Sequence, residues 1–227
     1  MNRIATSVTL LFALFLSISI SAQTRQIGNF TGIKASTSVS VKLVRADSPR
    51  IEYKMIKGED ADLITEIKGN NLIIKTKSSF GGWTKTQAKV IVYYTELNDI
   101  SVSAGASLKT NDPIRTQDMD IDVSSGSSAD IEVIAQSIDA EASSGATLKL
   151  EGSARKAEYD ASSGSKINAN MMICDYVNAD VSSGARIKVH VNKKLNADAS
   201  SGGSIKYTGD ADDTSIDKGW SGQISRM

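Results

Sequence analysis

The chain has 227 residues, with 26 Lys plus Arg balanced by 26 Asp plus Glu and a single histidine, so its formal net charge is zero. A neutral balance supplies no basic field for nucleic acid, and one cysteine, Cys174, excludes an internal disulfide framework. Aromatic residues make up 5% of the chain, too few for an extended sugar-stacking platform.

In chain order, Met1-Asn2-Arg3 is a short basic start, and Val8 to Ile20 is an apolar run interrupted by Thr9, Ser17 and Ser19. Ser21-Ala22 then offers small residues before Gln23. This pattern predicts a secretory signal peptide over residues 1–22, too short for a stable membrane span. No cysteine stands directly after the cut, so no lipid anchor is expected, and no later apolar stretch is long enough to cross a bilayer. The mature protein is expected in the periplasm, outside the cell or at its surface. There Cys174, beside Met171, Met172 and Ile173, reads as a buried, inert thiol.

Residues 23–98 form a strand-rich segment. Val39 to Val44, Arg50 to Met55, Leu63 to Ile67, Leu72 to Thr76 and Val90 to Thr95 alternate or are rich in β-formers, and Gly69-Asn70-Asn71 marks a turn. From residue 27 on, they read as longer, less regular coils capping the lower end of the repeats that follow. Between them, Phe80 and Trp83 sit in a glycine-rich loop, either folded back as a cap or exposed to a glycan, a protein partner or a second subunit.

Residues 99–209 repeat one corner. Ser103-Ala104-Gly105 is followed by Ser-Ser-Gly corners ending at Gly126, Gly145, Gly164, Gly184 and Gly202, so the glycines are 21, 19, 19, 20 and 18 residues apart. That is the period of one solenoid coil. Positions three before the glycine (Val102, Val123, Ala142, Ala161, Val181, Ala199) are apolar, as are most of those five before, three after and five after. They alternate with polar residues, the period of strands with one buried face. Each coil therefore reads as strand, tight corner, strand and a looser return such as Gly152-Ser153-Ala154-Arg155. The corner glycine supplies a positive φ, and the serine hydroxyls are expected to bond the next rung. Neither the calcium-binding nonapeptide nor a left-handed hexad occurs, so the fold class is all-β: a right-handed parallel β-helix of flattened coils, about 19 residues per rung. Residues 210–227, with Trp220, are expected to cover its upper edge.

Phe30-Thr31-Gly32-Ile33, Val39-Ser40-Val41-Lys42-Leu43, Leu97-Asn98-Asp99-Ile100 and the serial Ser-Ser-Gly corners together resemble the auto-transporter adhesin head GIN domain family of bacterial secreted proteins. The resemblance spans about residues 27–226. It implies a β-helix similar to pectin-lyase folds, without catalytic residues, and a role in adhesion. Members often carry a lipobox cysteine or a Gly-Ser-Gly corner; this chain has neither, which favours the periplasm or release.

The polar positions hold an acidic column: Asp122, Glu141, Asp160, Asp180 and Asp198, each four residues before its glycine. A second column holds Asp99, Asp120, Asp139, Glu158, Asn178 and Asn196. Beyond the corner the sign changes, with Lys109, Lys149, Lys188 and Lys206. Carboxylates stacked about 4.8 Å apart repel. They form either a solvated face that blocks edge association or a ladder that shares weakly bound calcium; no other cofactor is expected. His190 lies between Val189 and Val191 with no nucleophile elbow in the chain. The leading expectation is a non-catalytic binding or adhesion protein for a glycan or an envelope partner. The alternative is a polysaccharide-active lyase or hydrolase working through paired carboxylates.

Overall fold

The computed structural model describes residues 23–77 and 86–227; residues 1–22, expected to be a signal peptide, and the loop with Phe80 and Trp83 lie outside them. Two parallel sheets share each rung of a β-solenoid. One holds the strands before the corners, Asp99–Ser103 and Asp118–Val123, then the second halves of the long strands Ser128–Ala142, Thr147–Ala161, Lys166–Val181 and Arg186–Ala199. The other holds the first halves of those long strands, preceded by Ser107–Thr110 and followed by Ser204–Thr208. The expected looser returns are thus absorbed into continuous strands of 14 to 16 residues. Gly152, at φ 116, lies inside one of them.

The inward columns read from the sequence are the core. Every residue three or five positions before a corner glycine is buried between Ile100 and Ala199, and so is every residue three after. Tyr159 is fully buried between Ala140 and Ala179 of the adjoining rungs, small neighbours that make room for its ring. Its hydroxyl lies 3.7 Å from the Cys174 sulfur. The column five after the glycine is buried except at its ends, Thr110 and Tyr207. All the buried side chains join in one cluster, so the outward faces of the two sheets point away from each other.

Each of the six Gly-containing corners has two left-handed residues rather than one. Ser125 and Gly126 have φ of 54 and 67, and Ser144 and Gly145 have 52 and 73. The Ser127 and Ala146 amides close the turns by donating to the Ser124 and Ser143 carbonyls at 3.2 and 3.1 Å. A positive φ at both central positions is the mirror-image type I turn. Ala104, at φ 50, occupies the serine's place in the first Gly-containing corner, so the turn does not need the hydroxyl. Nor do the corner serines bond the next rung as expected. The inter-rung hydroxyl bonds come from the residue after the glycine: Ser127 Oγ donates to Val102 O and Ser165 Oγ to Ala142 O, both at 2.7 Å.

Residues 27–98 are not a simple run of coils. The strands Gly32–Ser36 and Val39–Arg45, joined by left-handed Thr37 and Ser38, form a rung. It lies between Asn71–Thr76 with Gln87–Tyr94 on one side and Asp99–Ser103 with Ser107–Thr110 on the other. Beneath it the chain turns antiparallel, Leu63–Lys68 against Asn71–Thr76 and Arg50–Lys57 against Gln87–Tyr94. Gln23–Gln26 then pairs with Arg50–Lys57. Arg25 closes this end: its guanidinium donates to Thr65 Oγ1 at 2.8 Å and Tyr53 OH at 2.9 Å, and lies 4.4 Å from the Tyr53 ring centre.

The other end also departs from expectation. Asp213–Lys218 and Gln223–Arg226 do not fold over the top but add one more rung, paired to Arg186–Ala199 and Ser204–Thr208. Its inward column carries Thr214, Ile216 and Lys218, in register with Leu195, Ala197 and Ala199. The core ends by becoming polar. Trp220, at the corner of this rung, is 92% exposed.

Two glycines separate conformation from space. A Cβ on Gly145 meets nothing within 4 Å, so Gly145→Ala is expected to cost only the left-handed strain, about 1–2 kcal/mol. A Cβ on Gly152 would sit 2.1 Å from the Val133 carbonyl oxygen, so Gly152→Ala must displace backbone and is expected to cost about 3 kcal/mol or more. Urea titration of both variants checks the order; a Gly152→Ala midpoint at or above that of Gly145→Ala would contradict this packing. Burial also raises the Cys174 thiol above its ordinary pKa. Alkylation of Cys174 should therefore track global unfolding in denaturant, and labelling of the native protein would show that the core opens locally.

Candidate functional site

The strands before the corners bring the acidic residues into register. Asp122 pairs with Glu141, Glu141 with Asp160, Asp160 with Asp180, and Asp180 with Asp198. The ladder continues upward to Asp217 and ends below at Ser101. The second column aligns Asp99, Asp120, Asp139 and Glu158, then changes to amides at Asn178 and Asn196. Asn196 Nδ2 donates to Asn178 Oδ1 at 2.8 Å, so the amides bond across rungs where carboxylates would repel.

Both columns face outward, and two shallow grooves follow them. A groove of about 340 Å³ runs between the acidic ladder and the first serines of the corners, Ser143, Ser162, Ser182 and Ser200. The broader one, about 670 Å³, holds Asp120, Asp139, Glu158, Asn178, Tyr176 and Lys194. Tyr176 and Lys194 pair with Lys156 and Asp213 in a third outward column that the sequence reading did not single out. These positions lie next to the return, Tyr176 eight residues before Gly184 and Lys194 eight before Gly202, as Lys156 lies eight before Gly164. A tyrosine and lysines at equivalent returns were the available signal.

Burial first, and crowding second, raise the pKa values of three carboxylates, Asp120, Asp160 and Asp180. Partial burial, then the neighbouring Asp180, Glu158, Glu141 and Asp139 charges, hold Asp160 at about 6. Asp180 is raised by partial burial and Asp198, and Asp120 by partial burial and then by Asp139, Asp99 and Asp118. No basic side chain forms an ion pair with either acidic column among the described residues. Nor do the described residues contain a group of three or more His, Cys, Asp or Glu placed to hold a metal ion. The carboxylates form a row of neighbours, not a cage.

Beyond the corners, Lys149 pairs with Asp130 at 3.4 Å and Glu151 at 2.5 Å. Lys188 and Lys206 are adjacent in register, and Lys109 pairs in register with Asp130. His190 stands in register with Thr208, whose hydroxyl lies 3.3 Å from Nδ1. That contact is with a threonine from the neighbouring rung. The six corner glycines occupy the left-handed positions expected of them.

The raised Asp160 sets a pH dependence of known sign. Its folded pKa, about 6, exceeds the ordinary 3.8, so the folded state holds this proton more tightly than the unfolded state does. The resulting stabilisation is complete below about pH 4 and lost as pH rises through about 6. At pH 7 Asp160→Asn removes the repulsion and should stabilise by about 1 kcal/mol, after discounting for solvent screening. At pH 4 the two proteins should melt together. An equal gain at both pH values would mean the ladder repulsion is not its source.

Among curated proteins no relative matches the chain. Solved structures do match in fold. A protein from Bacteroides fragilis NCTC 9343, described as a putative adhesin, superposes with a TM-score of 0.83 at 21% identity, covering 91% of this chain and 96% of its own. A putative adhesin from Parabacteroides merdae ATCC 43184 gives 0.72 at 16% identity, over 91% and 95%. A Parabacteroides distasonis ATCC 8503 protein described as a putative lipid binding protein gives 0.63 at 18%, over 90% and 96%. The family model described as "Putative auto-transporter adhesin, head GIN domain" matches residues 29–211, most of the chain and every Gly-containing corner. This protein belongs to the auto-transporter adhesin head GIN domain family.

Proposed function

We propose that the protein is an exported, non-catalytic binding protein that holds a glycan against the outward face of the sheet before the corners. The observation that carries this reading is the groove of about 670 Å³ in which carboxylates, the Asn178 amide, the Tyr176 ring and Lys194 line one continuous surface. Carboxylates and amides accept and donate to sugar hydroxyls, and one aromatic face gives a sugar ring something to pack on. Adhesion through such a surface fits the family, and export to the periplasm or cell surface fits the leader-like residues 1–22. The lipid-binding name belongs to the Parabacteroides distasonis protein; the polar grooves here suit a glycan better than a lipid.

Catalysis is the weaker reading because the carboxylate pairs recur on successive rungs, Asp120 with Asp122, Asp139 with Glu141 and Glu158 with Asp160, and none has a partner that sets it apart. Calcium shared between adjacent ladder carboxylates, with water completing its shell, belongs to the same proposal, at about 10⁻⁴–10⁻³ M. It would raise the melting temperature over a chelator control, more than magnesium does.

A glycan array with the purified protein tests the main reading. Binding to a defined set of glycans is expected, weakened about tenfold by Tyr176→Ala or Asn178→Ala, as for a contact at the centre of a site. Turnover of a polysaccharide that disappears in Glu158→Gln would replace binding with enzymatic action. Retention on lipid vesicles without glycan binding would overturn the choice of ligand.

A further inference from the structure

The two outward faces of the upper solenoid carry opposite charge. On one, Asp160, Asp180 and Asp198 are adjacent in register. On the other, Lys166 pairs in register with Arg186 and Lys188 with Lys206, Arg186 standing two residues before Lys188 on the same strand. Asp160 is half-buried and the other six are exposed. None of the seven forms an ion pair among the described residues.

Both rows belong to the same rungs. Asp160 and Lys166 flank Gly164, Asp180 and Lys188 flank Gly184, and Asp198 and Lys206 flank Gly202. The acidic and basic rows therefore repeat with one shared spacing, about 4.8 Å per rung. A second copy laid against the first by translation across the sheets would meet acid with base on every rung in step. A ligand of unrelated period could match only one or two. The formal net charge of zero adds no overall repulsion between copies.

We propose that the acidic face of one copy docks on the basic face of a second copy, Asp160 meeting Lys166, Asp180 meeting Arg186 and Lys188, and Asp198 meeting Lys206. The contact uses two different patches, so it is heterologous and leaves a free acidic face and a free basic face at the ends of the stack. Association extends rather than closing at a dimer. The acidic face is also the face on which glycan binding is proposed, so a docked copy and a glycan compete for it; self-association does not require the glycan reading to hold.

Sedimentation velocity of the purified protein at about 20 mM and about 500 mM NaCl, without glycan, tests the contact. The Debye length falls from roughly 20 Å to under 5 Å between these conditions. The expected result is a weight-average mass that rises with protein concentration at low salt and returns to the monomer at high salt. Asp180→Lys and, separately, Lys188→Glu with Lys206→Glu should each hold the protein at monomer mass in low salt. The two reversed proteins lie on different sheets, so a folding defect in one, read by its melting curve, leaves the other as the test. Lys54→Glu, at the basal end, should leave association unchanged. A wild-type mass that stays monomeric at low salt and high concentration overturns the proposal, as does association indifferent to both reversals. Association that appears only when dextran sulfate is added would assign the basic face to a polyanion instead.

Discussion

The stacking of this protein rests on a backbone hydrogen bond repeated at five successive corners, from Gly105 to Gly184. The Gly126 amide donates to the Ser144 carbonyl at 3.0 Å, Gly145 to Ser163 at 3.0 Å, Gly164 to Ser183 at 3.0 Å and Gly184 to Ser201 at 3.1 Å. These bonds exist because the serine and the glycine before the next strand are both left-handed, which turns the serine carbonyl of one rung towards the glycine amide of its neighbour. A sheet ladder would ordinarily lapse at a sharp bend. Here it continues around the bend, so the two sheets are joined by an unbroken column of main-chain bonds. The alternating core, the coincidence of the acidic residues and the matched spacing of the two charged faces all depend on that column holding one rung height.

The same regularity forces a conflict. Placing equivalent residues directly above one another is favourable for Ile, Val and Ala, which fill the core, and unfavourable for Asp and Glu on the outer face. The chain resolves this differently along its length. In the second column Asn178 and Asn196 replace carboxylates and bond to each other. At the ladder it leaves the repulsion in place, and Asp160, raised first by partial burial and then by its charged neighbours, carries part of the consequence. Strain of this kind on an exposed face is what an external partner, cation or second copy would relieve.

The repeats were legible because one signal, the corner glycine, gave the register of everything around it. Counting from it located the buried columns from Ile100 to Ala199 and the aligned carboxylates from Asp122 to Asp198. Where that signal is missing, local pattern gave the strands but not their partners. The corner at Thr37 and Ser38 contains no glycine, and that at Trp220 and Ser221 places its left-handed residue on Ser221. The position of Val39–Arg45 between Gln87–Tyr94 and Ser107–Thr110 is set by stacking between segments distant in sequence. Tyr176 and Lys194 keep a fixed count too, eight before Gly184 and Gly202, but their column runs Asp118, Ser137, Lys156, Tyr176 and Lys194, so no single residue type marks it.

That displaced rung has a consequence for how the chain reaches its fold. A solenoid wound in sequence order can grow as it emerges, each coil settling on the one before. Here the coil containing Thr37 and Ser38 has its lower neighbour some 40 residues ahead of it in the chain, Asn71–Thr76 with Gln87–Tyr94. Gly32–Ser36 must wait unpaired until residue 76 has appeared, and Val39–Arg45 until residue 94. Only then does a complete seed exist on which Asp99–Ser103 and its successors can be laid down one after another. Growth is therefore slow to start and quick to continue, and a nascent chain stalled before residue 94 is the form most exposed to wrong partners.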